Sequence, residues 1–98
     1  MKHLCEMIQG ECAVLVDFYA TWCVPCRVMK PIVEKLERRY DDRLHVLKID
    51  VDECDEEATK YGVRAVPTFV LFKNGQEVWR TTGIMKQQEL EAVICRYC

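Results

Sequence analysis

The sequence predicts an α/β domain, a central mixed four-stranded sheet flanked by helices on both faces, and three observations predict it. Two short, β-rich apolar runs at 13–19 and 44–51 are separated by a helix-length stretch whose apolar residues recur every three or four positions. Strand, helix and strand in that order imply a parallel pair joined by a right-handed crossover. Asn74-Gly75, the strongest short hairpin signal a sequence offers, then lies between two further strand-like runs and adds an antiparallel pair.

Each element has its own justification. The run AVLVDFY at 13–19 is too short for a helix, and Asp17 is its only charge, so it reads as a buried strand. From about 25 to 40, Val28, Met29, Ile32, Val33, Leu36 and Tyr40 line one helical face, with Glu34, Lys35, Glu37, Arg38 and Arg39 between them. Pro31 falls inside this helix, removes one backbone bond and should kink it. A second strand at 44–51 is followed by a short helix at about 55–61, for which Gly62 supplies a left-handed end. The hairpin strands are 68–73 and 77–82. A last helix at about 86–97 puts Leu90, Val93, Ile94 and Tyr97 on one face and closes one side of the sheet. Residues 4–9 suffice for one short helix. No linker, repeat or low-complexity segment interrupts the chain, which reads as a single domain over 1–98.

The chemistry lies in Trp22-Cys23-Val24-Pro25-Cys26-Arg27. If Pro25 opens the long helix, Cys26 lies one turn from Cys23 on the same face, near the roughly 5.5 Å Cα separation a disulfide needs. The loop so closed is very short, which favours a reversible bond over a structural staple. Proline is tolerated in a first helical turn, where an N–H is spare. Cys23, at the positive end of the helix dipole and beside unpaired N–H groups, is the expected nucleophile. Cys26, a turn inside, should be more buried and is the expected resolving thiol. The competing reading, half of a zinc site, needs two further ligands that the spacing does not supply.

Composition excludes several classes. Half of the 98 residues are hydrophobic and 31% charged, ordinary for a globular domain, and a net charge of −2 argues against nucleic acid as a partner. The acidic run at 50–57, broken by Val51 and Cys54, reads as a solvated helix entrance. No stretch has signal-peptide or membrane-span character, so no membrane is expected and a cytoplasmic location is the simplest reading. Seven cysteines without framework spacing also suit a reducing compartment.

Taken in order, these motifs resemble the thioredoxin family over nearly the whole chain. Residues 17–26 (DFYATWCVPC) are similar to the family's active-site strand and turn, and Pro31 falls at its kinking proline. Residues 48–52 are similar to its third strand, and 61–68 (YGVRAVPT) to the segment that carries its cis-proline, here Pro67. The resemblance implies a thioredoxin fold and reduction of disulfides in protein substrates. It also implies Asp17 as the proton acceptor that helps Cys26, and Lys48 as a neighbouring buried lysine. Burial in an apolar strand should raise the Asp17 pKa, and Lys48 should pull it partly back. A cis Pro67 would bring Val66 and Pro67 beside the thiols, where the backbone of Val66 can pair with an extended substrate. Trp22, Val24, Pro25, Ala65, Gly83 and Ile84 would complete a shallow docking surface. The family further implies recharging by a flavin-dependent thioredoxin reductase, with no cofactor or metal in the chain itself.

There are departures. Val24 stands where the family usually has Gly, so the potential is not inherited with the fold. Only 16 residues precede Asp17, leaving no room for the usual first strand and exposing the 44–51 strand as an edge. Cys95 and Cys98 form a second C-x-x-C without a preceding Trp or a following helix, and read as surface thiols; Cys5, Cys12 and Cys54 match no motif. Two other functions compete with disulfide reduction: a thiol oxidase or disulfide isomerase with a shifted potential, and a thioredoxin-fold interaction module whose dithiol is incidental.

Overall fold

An apolar strand with a single charge belongs at the centre of a sheet, and β1 (Ala13–Tyr19) lies there in the computed structural model, which describes residues 13–98. It is followed by α1 (Val24–Arg39), β2 (Leu44–Asp50), α2 (Asp55–Lys60), β3 (Thr68–Lys73), β4 (Gln76–Thr82) and α3 (Gln87–Tyr97). The strand order is β2-β1-β3-β4, with β1 parallel to β2 and antiparallel to β3, and β3 antiparallel to β4. The sheet is therefore mixed and four-stranded, and among the described residues β2 is an edge. The helix expected at 4–9, and Cys5 and Cys12, lie outside the described residues.

Period two along β1 sorts its side chains between two cores. Ala13 and Leu15 pack with Met29, Val33 and Leu36 of α1 and Leu90 and Ile94 of α3. Val14, Val16 and Phe18 face the other way, onto Ala58 of α2 and Ile49, Val70 and Phe72. Helices thus cover both faces. Asp17, next in the odd-numbered set, emerges on the α1 side at the end of that layer.

The local signals end the elements where physical chemistry requires. Asn74 (φ 53°) and Gly75 (φ 78°) both take left-handed backbone, the conformation of a two-residue hairpin turn, and β4 starts at Gln76, one residue earlier than the pattern indicates. Gly62 (φ 69°) closes α2. Helix α1 starts at Val24, so Pro25 is its second residue, still within the turn that has N–H groups to spare. The helix continues through Pro31 to Arg39. Lys86 precedes α3, and its N–H donates to Glu89 Oε1 at 3.2 Å, half of a capping box.

The two faces of α1 make a direct test. Leu36 is fully buried between α1 and the sheet, whereas Val28 is 45% exposed. Leu36→Ala should lower the unfolding free energy by about 2–5 kcal/mol, and Val28→Ala by no more than about 0.5 kcal/mol, read from urea midpoints. Equal losses would mean that α1 is rotated from this orientation.

Candidate active site

The site hangs from the end of β1. Ala20 is buried, Cys23 N–H donates back to its carbonyl at 3.2 Å, and the chain turns through Thr21 and Trp22 into α1. Cys23 is the residue immediately before the helix, with extended backbone (φ −87°, ψ 113°), and its sulfur accepts the Cys26 N–H at 3.2 Å. This is the geometry of a helix cap, with sulfur in place of the usual side-chain oxygen. Cys23 and Cys26 are joined in a disulfide, their Cα atoms 5.3 Å apart. Arg27 stiffens the turn by donating to Thr21 O at 2.9 Å.

The expected difference in burial is not found. Cys23 is 3% exposed and Cys26 9%, so the second cysteine is slightly the more open of the two. Both sulfurs are packed in one small cluster with Ala20, Tyr19, Val51 and Val66, while Cys26 also lines a pocket. What distinguishes Cys23 is its position before the helix, where the N–H of Cys26 meets its sulfur.

That pocket, of about 300 Å³, is lined by Asp17, Tyr19, Thr21, Cys26, Lys30 and Lys48 among others. Asp17 is 7% exposed, and burial pushes its carboxyl up to about 6, an effect that the Lys48 charge partly offsets. Lys48 is placed beside Asp17 by the β1–β2 register, but it is not buried. It sits on β2, an edge among the described residues, where its side chain reaches solvent, and its Nζ lies 3.5 Å from Glu34 Oε2. Its field reaches Asp17 from the rim of the pocket, not from the interior.

The expected docking residues are partly gathered. The Val66–Pro67 peptide bond is cis, and Val66 packs against the disulfide cluster. Pro67 itself is buried, and its carbonyl accepts Gly83 N–H at 2.9 Å, which ties the loop to the end of β4. Gly83 takes positive φ (101°), which lets the chain after β4 turn back to that carbonyl. Trp22, Val24 and Ile84 are 64%, 63% and 59% exposed; Ala65 is exposed and Pro25 half-buried. The Trp22 indole N–H donates to Asp52 Oδ2 at 2.8 Å, a partner 30 residues away that the acidic run did not single out. Val28, expected on the apolar face of α1, is exposed instead, and Lys30 of the same helix lines the pocket. Among the described residues, no three His, Cys, Asp or Glu groups converge to hold a metal, and no helix is long and apolar enough to cross a membrane.

Comparison with known proteins places this geometry. The family model described as thioredoxin matches residues 2–96. The chain belongs to the thioredoxin family. It is 41% identical over 87 residues to the thioredoxin of Alicyclobacillus acidocaldarius subsp. acidocaldarius, covering 89% of this chain and 83% of that relative. Among solved structures, a mutant thioredoxin from Halobacterium salinarum NRC-1 superposes with a TM-score of 0.91 at 40% identity, covering 99% of this chain and 84% of that one. The thioredoxin of Fasciola hepatica does so at 0.88 and 38%, covering 99% and 90%. A thioredoxin-family chain with a disulfide pair at its helix start is a thiol-disulfide oxidoreductase, of the protein-disulfide reductase type.

The buried carboxyl has a signature in stability. Its folded pKa of about 6 lies above the ordinary 3.8, so the folded state binds this proton more tightly than the unfolded state does. Stability from this group is therefore complete below about pH 4 and lost as pH rises to about 6, a cost of roughly 3 kcal/mol at neutral pH. Asp17→Asn, which cannot ionise, should unfold at higher urea than the parent at pH 7 and lose that advantage near pH 4. Equal stability at pH 7 would mean that the carboxylate is well solvated.

Proposed function

We propose that the chain reduces protein disulfides in two exchanges, with Cys23 attacking, Cys26 resolving and Asp17 taking the proton of Cys26. In the first exchange the Cys23 thiolate attacks one substrate sulfur, forms a mixed disulfide and releases the other sulfur as a thiol. In the second, Cys26 gives its proton to Asp17, attacks Cys23 and expels the second substrate sulfur. Two electrons pass to the substrate, and the chain is left as its Cys23–Cys26 disulfide.

The observation that carries this reading is the pocket shared by Asp17 and Cys26. Its volume accommodates water, so a proton can pass between thiol and carboxylate without direct contact. A carboxyl titrating near 6 is mostly ionised at pH 7, yet is a stronger base than an exposed aspartate. Lys48 at the rim acts on Asp17, whose pKa its charge lowers. For Cys23, the Cys26 N–H that reaches its sulfur favours the thiolate once the bond is open. Trp22, Val24, Val66 and Ile84, with Pro25, Pro67 and Gly83 setting the loops that carry them, form the docking surface. The spent disulfide is recharged by a flavin-dependent thioredoxin reductase, in a reducing compartment such as the cytoplasm.

Trapping separates the roles. Mixed with a protein that carries a reducible disulfide, Cys26→Ser should retain a covalent adduct on Cys23 that dithiothreitol releases, and Cys23→Ser should form none. An adduct on Cys26 in Cys23→Ser, with none in Cys26→Ser, would reverse the assignment. Asp17→Asn should lower turnover by about tenfold or more near pH 7. Turnover unchanged across pH 6 to 9 would remove Asp17 from the mechanism.

A further inference from the structure

The second C-x-x-C has partners that its sequence context does not reveal. Cys95 lies in the last turn of α3, and Cys98 N–H donates to Ile94 O at 2.9 Å, so helical bonding continues through Cys98. Helical geometry then puts the two Cα atoms about 5 Å apart, inside the range a disulfide spans. The Cys23–Cys26 bond closes over the same spacing at the other kind of helix end, one cysteine in the helix and one at its cap.

Both sulfurs also bond to the same connection, the turn between α1 and β2. The Tyr40 hydroxyl lies 2.9 Å from Cys95 Sγ, and Cys98 Sγ donates to Arg43 O at 3.7 Å. Tyr40 has one proton and donates it to Glu91 Oε2 at 2.8 Å. Glu91 is held below the usual carboxylate range, first by Arg39, whose Nη1 reaches both its oxygens, and then by Tyr40. With that proton committed to an ionised carboxylate, Cys95 S–H is the donor to the Tyr40 oxygen. The two thiols are thereby turned towards one anchor, while Cys95 itself remains exposed to solvent.

We propose that Cys95 and Cys98 are a second redox site, oxidised to an intrachain disulfide by small-molecule disulfides such as glutathione disulfide. Cys95, as thiolate, attacks one sulfur of the oxidant, forms a mixed disulfide and releases one glutathione thiol. Cys98 then attacks Cys95 and releases the second. Two protein thiols are oxidised and one disulfide is reduced to two thiols. The thiol contacts to Tyr40 and Arg43 are lost in the product, so oxidation loosens the end of α3 from the α1–β2 turn. The site is independent of the first pair, because α1 spans about 25 Å between Cys23 and Tyr40. Exchange between the two pairs therefore requires two molecules.

Peptide mapping tests this on the unchanged chain. The reduced protein is held with excess glutathione disulfide, quenched in acid, alkylated and cut with trypsin, which cleaves after Arg96 between the two cysteines. The fragments ending at Arg96 and beginning at Tyr97 should remain joined, two hydrogens lighter than their sum, with no glutathione retained. In Cys98→Ser the glutathione should stay on Cys95. Three results in the unchanged chain would each overturn the proposal. They are glutathione persisting on Cys95, Cys95 bonded to Cys5, Cys12 or Cys54, and Cys95 alkylated after Cys23–Cys26 has fully oxidised.

Discussion

The site depends on the double burial of β1. This strand is hydrogen-bonded on both edges, to β2 and β3, and covered on both faces, so Ala13, Val14, Leu15, Val16 and Phe18 are no more than 1% exposed. A strand so enclosed has no freedom at its end. The turn that leaves it delivers Cys23 to the start of α1 in a fixed position, and α1 is held by the same layer of side chains that β1 supplies. Rigid support of this kind lets a reactive sulfur sit at a helix start without the helix end fraying.

The same enclosure explains why a carboxyl in β1 is chemically useful. Asp17 follows Ala13 and Leu15 on the α1 side, where the apolar layer gives way to the pocket at Cys26. Surrounded by water it would titrate as an ordinary aspartate; surrounded wholly by apolar groups it would remain protonated at neutral pH. Its position at the boundary, with the Lys48 charge offsetting part of the desolvation, brings it to about 6. The stability lost by keeping this group ionised is small beside what the two cores supply, and it is localised where proton transfer is needed.

Local patterns made most of the fold legible. The apolar run of β1, the three-and-four periodicity of α1 and the Asn74-Gly75 turn each draw on interactions within a few residues, and each element falls within about one residue of its expected bounds. The thiol pair was legible for the same reason. Long-range arrangements were not. Asp52 reaches the Trp22 indole across 30 residues, and Lys30 joins the pocket only because α1 crosses the end of β1. Lys48 was expected to be buried, but β2 is an edge among the described residues, and its side chain escapes to Glu34. Cys26 was expected to be deeper than Cys23 by counting turns, a count that ignores the pocket opening beside it. Cys95 and Cys98 looked unsupported because Tyr40 and Arg43, which hold them, lie more than 50 residues earlier in the chain.

A chain that donates electrons to disulfides must hold its own pair at a low potential, so the reduction potential of Cys23–Cys26 is the most direct test. The protein would be equilibrated with defined ratios of reduced and oxidised dithiothreitol, and the bond followed by the fluorescence of Trp22 beside it. A potential at or below the glutathione poise, about −220 to −260 mV, is the result predicted for a reductant. A value of about −180 mV or higher would contradict it, and would mean that Val24, in place of glycine, has made the pair an oxidant or isomerase.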